Sequence, residues 1–340
     1  MIGYLFRRLM TMAVTLAAIS ALVFIIINLP PGNYMTNAIA EMRATGEDAG
    51  VQKAEALMAE YALDRPIWEQ YLIWVGAWPG PNGFSGLLQG NFGWSFELNR
   101  PVADVVGELA WLTVAVNLAA LVFVYVVALP LGTIAAVKAN SFIDYIASFL
   151  GYIGLATPNF LLALIMLFYG AQYFDIPIGG LMSREFEGQP MSWAKAADIG
   201  MHLIVPTIVI GTSAAAAVMR RLRANLMDEL NKPYVETARA KGCSATRRIT
   251  RYPLRMALNP FVADIGNLAP QLVSGSVMIS VVMSLPTLGP ILLQSLRSQD
   301  IFMSGFILLF VSGLTLVGML ISDILLAILD PRIRSGKAAA

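Results

Sequence analysis

The chain has 340 residues, of which 57% are hydrophobic and only 13% are charged. Soluble domains average roughly 25% charged residues, so this composition predicts an integral membrane protein. The single cysteine, Cys243, excludes an internal disulfide, and with one histidine, His202, the chain has no zinc-ligand set of the usual Cys and His type. The net charge of +1 gives no global electrostatic footprint for nucleic acid, which is therefore not expected as a partner.

The hydrophobic residues are concentrated in long runs. A helix needs about 20 mostly apolar residues to cross a hydrocarbon core of about 30 Å. Six stretches meet this requirement and predict an all-α fold with six membrane spans: Leu9–Leu29, Trp111–Val137, Phe142–Ala171, Met201–Met219, Phe261–Met283 and Ser304–Leu329. We expect the prolines inside these runs to mark kinks or entry points rather than breaks: Pro130, Pro158, Pro206 and Pro270.

The distribution of Lys and Arg predicts the orientation of the chain in the membrane. The first apolar run follows Arg7 and Arg8 and ends without a small-residue cleavage site, so we interpret it as an uncleaved first helix. With the N-terminus in the cytoplasm, 16 of the 23 Lys and Arg residues lie in the inside segments, as the positive-inside rule requires. We therefore expect a multi-pass protein of the bacterial inner membrane with both termini cytoplasmic.

This topology divides the chain into four parts. Residues 1–30 form the first helix with its cytoplasmic N-terminus, and residues 31–108 form an extracytoplasmic segment between helices 1 and 2. Residues 109–330 form a core of five helices that includes a cytoplasmic loop at residues 220–259, and residues 331–340 form a cytoplasmic tail. Apolar residues recur at three- and four-residue steps from Val51 to Tyr61, which predicts a helix in a small folded outer segment.

The cytoplasmic loop contains the signals of a short helix from about Lys232 to Lys241. Asn231 is a candidate N-cap and Pro233 falls in the first turn, where its missing N–H costs nothing. Glu236 lies near the N-terminus, and Gly242 is expected to form a left-handed C-terminal cap. Such a helix is too polar to span the membrane and too short to be stable alone, so it needs a partner surface. These residues fit an ordinary surface helix with a solvated basic face equally well.

The run Glu236-Thr237-Ala238 followed by Gly242 resembles the EAA loop of ABC importer permeases, in which three residues separate Glu-Ala-Ala from a following Gly. Thr237 replaces the middle alanine. The arginine-rich ending of the loop is similar to the same region of the dipeptide, oligopeptide and nickel permeases, B-type subunits of binding-protein-dependent transport systems: Arg251, Arg255-Met-Ala-Leu258 and Asn259-Pro260.

Further short motifs follow in the order of that family along almost the whole chain. They are Leu63-Asp64-Arg65-Pro66 with Gln70-Tyr71, Gly90-Asn91-Phe92-Gly93-Trp94-Ser95, Asn99-Arg100-Pro101, Pro286-Thr287-Leu288-Gly289 and Leu329-Asp330-Pro331-Arg332. One departure is the sequence from Met283 to Thr287, where many peptide permeases have Trp-Pro-Gly. This departure leaves the substrate open.

The resemblance implies the six-helix permease fold of type I ABC importers and a function as the membrane subunit of an ATP-driven importer, most simply of short peptides, with oligosaccharides or opine-like solutes as the alternative. The implied partners are a second homologous permease, two ATPase subunits that bind ATP and Mg²⁺, an extracytoplasmic solute-binding protein and the lipid bilayer. The implied contacts to the ATPase subunits are Tyr234, Glu236, Thr237, Ala238, Lys241 and Gly242.

The chain itself lacks the motifs of an enzyme. A phosphate-binding loop has the form GxxxxGK[ST], whereas the only Gly-Lys pair here is Gly336-Lys337, followed by Ala338. The sequence has no G-x-S-x-G and no H-E-x-x-H motif. We therefore expect no cofactor or metal in this chain and ATP hydrolysis by separate subunits.

A few polar residues inside the spans need an explanation because ionisable groups are costly there. For Asp323 a packing role is favoured over a proton relay, and His202 is expected to be structural. A secondary transporter driven by protons, with Asp264 or Asp323 as the relay, is the rival function. The cluster Ser274-Gly275-Ser276 could line a substrate path or let helices pack closely.

Overall fold

The computed structural model describes residues 2–173, 179–186 and 188–329. Within these ranges the chain is helical apart from loops and one pair of two-residue antiparallel strands, β1 (Trp94–Ser95) and β2 (Arg100–Pro101). The helices are α1 (Ile2–Ile27), α2 (Tyr34–Thr45), α3 (Asp48–Glu60), α4 (Ile67–Val75), α5 (Val102–Val137), α6 (Phe142–Ala156), α7 (Asn159–Tyr173), α8 (Trp193–Leu230), α9 (Pro233–Ala240), α10 (Ala245–Thr250), α11 (Pro253–Val282), α12 (Leu288–Arg297) and α13 (Ile301–Leu329).

Four helices of the described part are long and apolar enough to cross a membrane: α1, α5, α8 and α13. Two further spans are possible if each of two bent pairs counts as one span. The first pair is α6 with α7, which meet at 101°, and the second comprises Ala245–Gly266 and Gln271–Val282, bent by 59°. The chain thus has four to six candidate spans, which confirms an all-α membrane protein.

The predicted third span is not one straight helix. α6 ends at Ala156 and α7 begins at Asn159, so the expectation that Pro158 only kinks the helix is wrong. Proline disfavours the helical conformation of the residue before it, and Thr157 is accordingly extended, with φ −82° and ψ 119°. Pro130 and Pro206, in contrast, lie inside the continuous helices α5 and α8.

The helix α8 is much longer than its predicted span of Met201–Met219. Its 38 residues correspond to about 57 Å, nearly twice the thickness of the hydrocarbon core. It begins where Ser192 caps the N-terminus by accepting a hydrogen bond from the backbone N–H of Lys195. The predicted loop at residues 220–259 is therefore mostly helical, because it holds the end of α8, all of α9 and α10, and the start of α11.

The chain divides into two compact units. The N-terminal unit comprises Ile2–Trp111 and Thr287–Gly313 and has its own hydrophobic core. As predicted from the apolar spacing, α3 buries Val51 and Ala54 in this core. The aromatic rings of Tyr61, Phe96 and Phe302 pack on one another at centroid distances of 5.2 to 6.1 Å.

A buried carboxylate, Asp300, anchors the N-terminal unit. It accepts hydrogen bonds from the Ser95 hydroxyl at 2.7 Å and from the backbone N–H groups of Met303 at 3.2 Å and Glu97 at 3.3 Å. Burial raises the pKa of Asp300, and the donors oppose that rise only in part. The carboxylate thereby joins the strand pair to the start of α13.

The core unit comprises Leu112–Pro286 and the chain from Leu314 onward. Its central helix is α8, which packs against α6, α7 and α11. The contacts are close: a Cβ built on Gly132 of α5 would lie 2.8 Å from the Met219 carbonyl oxygen of α8, and one on Gly266 would lie 2.9 Å from the Met319 Cα. Larger residues at these two positions would force the backbones apart.

Candidate coupling helix

The start of α9 differs from the predicted N-cap by one residue. Asn231 ends α8 instead, and its Nδ2 donates to the Met227 carbonyl oxygen at 3.1 Å, so Asn231 as the N-cap of α9 is wrong. Lys232 takes the N-cap position with an extended backbone, φ −82° and ψ 148°. The reason is Pro233, which is the first helical residue as predicted and keeps the residue before it out of the helical region.

The end of α9 is the predicted left-handed cap. Gly242 has φ +70°, its N–H donates to the Arg239 carbonyl oxygen at 3.0 Å, and the N–H of Cys243 donates to the Ala238 carbonyl oxygen at 3.2 Å. These two hydrogen bonds form a Schellman motif, which satisfies carbonyl groups that the helix leaves free. The helix therefore has a fixed end as well as a fixed start.

The two faces of α9 differ in exposure. Val235 and Ala238 are only 8% and 6% exposed, whereas Glu236, Thr237 and Lys241 are exposed. The buried pair seats the helix on its own chain, and the exposed residues leave a polar face. Of the six residues that the family resemblance singled out, Ala238 thus belongs to the seat, and Glu236, Thr237 and Lys241 belong to the free face.

Tyr234 connects α9 to the end of α8. Its hydroxyl donates a short hydrogen bond to the Glu229 carboxylate, which also accepts from Lys232 Nζ at 2.7 Å. Burial and the hydrogen bond with Glu229 raise the pKa of Tyr234, so the phenol stays protonated and donates at physiological pH. Tyr234 therefore fixes the angle between α8 and α9 from inside the chain.

Two protein-family models match this chain. The model of the binding-protein-dependent transport system inner membrane component matches residues 128–335, and the model of the N-terminal part of such components matches residues 1–119. The chain belongs to this permease family. In ABC transporters of this kind the permease is the translocation subunit and not an enzyme, because a separate subunit binds ATP; an ATP-binding subunit and a substrate-binding protein are the implied partners.

Two curated relatives match this permease over nearly its whole length. The oligopeptide transport system permease protein AppB of Bacillus subtilis is 31% identical over 98% of this chain and 99% of its own. The dipeptide transport system permease protein DppB of Lactococcus lactis is 30% identical over 98% of this chain and 100% of its own. A solved structure of the MetNI methionine ABC transporter in inward-facing conformations matches with a TM-score of 0.50 and 19% identity, covering 66% of this chain and 96% of that chain. That likeness supports the fold.

The rival function, a proton-driven secondary transporter, needs Asp264 or Asp323 as a proton relay, and the structure gives the surroundings of both residues. Asp264 forms an ion pair with Arg221 at 2.6 Å, and Asp323 lies half-buried in α13. His202 is 5% exposed, and its Nδ1 lies 2.9 Å from the Asp198 carbonyl oxygen. Within the described residues no group of three or more His, Cys, Asp or Glu side chains could hold a metal ion.

The predicted cluster Ser274-Gly275-Ser276 is divided between two faces of α11. Ser276 is 5% exposed, and its hydroxyl donates to the Val273 carbonyl oxygen at 2.8 Å. Ser274 and Gly275 are exposed, and a Cβ built on Gly275 would meet no atom within 4 Å. Gly275 therefore makes no close helix contact with the described part of the chain.

Sequence reasoning missed the ion pair between Asp144 of α6 and Arg223 of α8, which is bidentate at 2.5 and 2.7 Å. A signal for it existed: Asp144 lies in the first turn of one apolar run and Arg223 just beyond the end of the next. The prediction placed both of these span ends on the cytoplasmic side. Charges at neighbouring span ends on one side are candidates for pairing, although spacing along the chain does not give the partner.

Proposed function

We propose that the chain is one of two homologous permease subunits of an ATP-driven importer of short peptides, and that the exposed face of α9 contacts an ATPase subunit. The observation that carries this proposal is the construction of α9. It is a separate eight-residue helix that begins at a proline and ends in a Schellman cap, with one face seated on the chain and a polar face that includes Glu236, Thr237 and Lys241.

The mechanism follows from that construction. ATP binding would bring two ATPase subunits together, and a groove on each would move the α9 seated in it. Because α9 is fixed to α8 through Tyr234 and Glu229, the movement passes into a helix that is longer than the membrane is thick. The two permeases would thereby alternate between outward and inward openings, with the substrate passing between them.

The membrane arrangement that suits this mechanism has six spans, with each bent helix pair counted as one. Both termini would be cytoplasmic, with residues 331–340 as a tail, and residues 31–108 would form the extracytoplasmic segment. Residues 1–30 would form the first helix and residues 109–330 the core. The charge distribution supports this orientation, since the region from the end of α8 to the start of α11 has ten of the 23 Lys and Arg residues.

The substrate class follows from the relatives, two of which are named for oligopeptide and dipeptide transport over nearly the whole length of the chain. The solute-binding protein would carry out most of the selection. A peptide-binding partner would thus present di- to oligopeptides to the pair of permeases. Exposed Ser274 and Gly275 of α11 are the candidates in this chain for the walls of the path.

The proposal is tested by reconstitution into liposomes. The purified chain alone should hydrolyse no ATP above background, because it has no phosphate-binding loop. The full complex, with both permeases, the ATPase subunits and the binding protein, should accumulate labelled di- and tripeptides only with ATP. Uptake by the chain alone driven by a proton gradient would contradict the proposal, and so would uptake of an oligosaccharide but of no peptide.

A further inference from the structure

Two ion pairs join α8 to its neighbours at one level of the core unit. Arg223 binds Asp144 of α6, and Arg221 binds Asp264 of α11. The two arginines are two residues apart, which is about 200° around a helix, so they reach in nearly opposite directions. One short stretch of α8 is thus held on both sides, and we call these four side chains the brace.

The ion pair between Arg223 and Asp144 of α6 is partly buried and has several hydrogen bonds. Asp144 is 2% exposed and accepts from Arg223 Nε at 2.5 Å and from Nη2 at 2.7 Å. It also accepts from the backbone N–H of Asn140 at 2.8 Å and from the Ser148 hydroxyl at 3.4 Å. A bidentate pair of this kind fixes angle as well as distance, since both planar groups must align.

The pair on the α11 side is more open but also has two contacts. Arg221 Nη1 lies 2.6 Å from Asp264 Oδ2, and the guanidinium lies over the Phe261 ring, 5.6 Å from its centroid. Asp264 and Phe261 lie one turn apart on α11. Arg221 therefore contacts one turn of α11 through an ion pair with Asp264 and a cation–π contact with Phe261.

Stability alone does not explain why the buried Asp144 is part of an ion pair. Buried ion pairs lose about as much in desolvation as they gain in attraction, and apolar side chains of similar size often serve as well. The geometric precision of the Asp144–Arg223 pair is what apolar packing would not provide.

The brace lies close to α9. Arg223 is seven residues before the end of α8, a distance of about 10 Å along the helix. Between the two points α8 is continuous, and Glu229 at its last turn holds Tyr234 of α9. An unbroken series of directional contacts therefore leads from α9 through α8 to α6 and α11.

We propose that Arg221 and Arg223 are positioning residues that make α6, α8 and α11 move as one body when α9 moves. This inference rests on the proposed role of α9. Without the brace, α8 would still follow α9, but α6 and α11 would not follow it in a fixed register. ATP hydrolysis would then continue with little transport.

The test is the number of peptides transported per ATP hydrolysed by the reconstituted complex, with labelled trialanine as the probe. Asp144→Asn and Arg221→Gln should each lower this ratio at least about fivefold, the lower end of typical coupling between sites. The ATPase subunits should still co-purify. Asp144→Glu, which keeps the carboxylate, should recover part of the loss, whereas a merely structural role would change yield and not the ratio.

The matched control is Glu108→Gln, which breaks the exposed pair between Arg100 and Glu108 in the N-terminal unit. It should leave the ratio unchanged. The inference is overturned if Asp144→Asn complexes assemble and keep the wild-type ratio. If they do not assemble, a normal ratio in Arg221→Gln complexes overturns it instead. The capping variant Gly242→Ala distinguishes failure of the brace proposal from failure of the proposed role of α9. If Gly242→Ala uncouples transport and the brace variants do not, only the brace proposal is wrong. If Gly242→Ala does not uncouple transport, the proposed role of α9 is wrong.

Discussion

Replacing Gly242 by alanine should uncouple this permease from its ATPase subunits without unfolding it. Gly242 has φ +70°, a left-handed conformation in which a residue with a Cβ is strained by about 1 to 2 kcal/mol. Among the described residues, no atom lies within 4 Å of a Cβ built at this position, so the strain is confined to the backbone. The perturbation therefore acts on the Schellman cap of α9 and on nothing around it.

The size of this strain is large for so short a helix. α9 has eight residues, far fewer than the roughly 12 to 15 that an isolated helix needs to be even marginally stable. A loss of 1 to 2 kcal/mol changes the population of the capped form by a factor of about 5 to 30. The long helices of the core unit do not depend on this cap, so the amount of protein in the membrane should stay near normal.

The assay compares Gly242→Ala with Gly46→Ala in the reconstituted complex. Gly46 caps α2 with φ +76°, and a Cβ there would also meet no atom within 4 Å, so the backbone strain is matched. Peptide uptake and co-purification of the ATPase subunits should fall at least about fivefold for Gly242→Ala. Gly46→Ala should leave both near the wild-type level. Equal uptake by the two variants, with full ATPase association, would show that α9 is an ordinary surface helix.

Two further predictions concern the membrane topology and the N-terminal unit. A reporter fused after Gly80 should be extracytoplasmic and one fused after Ala245 cytoplasmic; both reporters on the same side would contradict the six-span topology. Burial raises the pKa of Asp300 in the folded state, whereas in the unfolded chain this carboxyl group has a pKa of about 3.9. As pH rises, the unfolded chain therefore loses the Asp300 proton at a lower pH than the folded chain does. The stabilisation from protonated Asp300 should be complete below pH about 3.9 and lost as pH rises through the folded-state pKa. Thermal unfolding of the detergent-solubilised chain from pH 3.5 to 7 should show this loss, and Asp300→Asn should lack it; an identical pH profile in the variant would refute the assignment.

The features that the sequence predicted correctly depend on local chemistry. In the described part of the chain, the apolar runs located the four helices that are long enough to cross a membrane, because a span must satisfy its backbone hydrogen bonds internally. Pro233 and Gly242 located α9 to within one residue at each end, because proline and glycine act directly on the backbone dihedral angles. The three- and four-residue spacing of apolar residues from Val51 to Tyr61 identified α3, because this spacing places them on one face of a helix.

The features that were missed depend on contacts distant in sequence or on competition between neighbouring groups. Asn231 has the residue type of an N-cap, but its side chain is used by the last turn of α8, and sequence alone does not decide between two adjacent helix ends. Pro158 was recognised, but the 101° angle between α6 and α7 is far larger than a kink within one helix, and the sequence does not give the direction of the second helix. The pairing of Asp144 with Arg223 joins residues 79 positions apart.

The amphipathic helix α12 was missed for a related reason. Its ten residues from Leu288 to Arg297 are too few for a span, and only the motif Pro286-Thr287-Leu288-Gly289 was noted there. Leu288 and Leu292 are buried in the core of the N-terminal unit, which is formed mainly by residues from the other end of the chain. A short amphipathic segment becomes a helix when such a core is present to receive its apolar face.

The most direct measurement of the central claim is photo-cross-linking from the exposed face of α9. A photoreactive amino acid in place of Thr237 should capture an ATPase subunit in the assembled complex, and nucleotide binding should change the yield. The same group in place of Lys53, which is exposed on α3, should capture no ATPase subunit. Capture of the ATPase from position 53, or its absence from position 237 in a complex that transports peptide, would contradict the account.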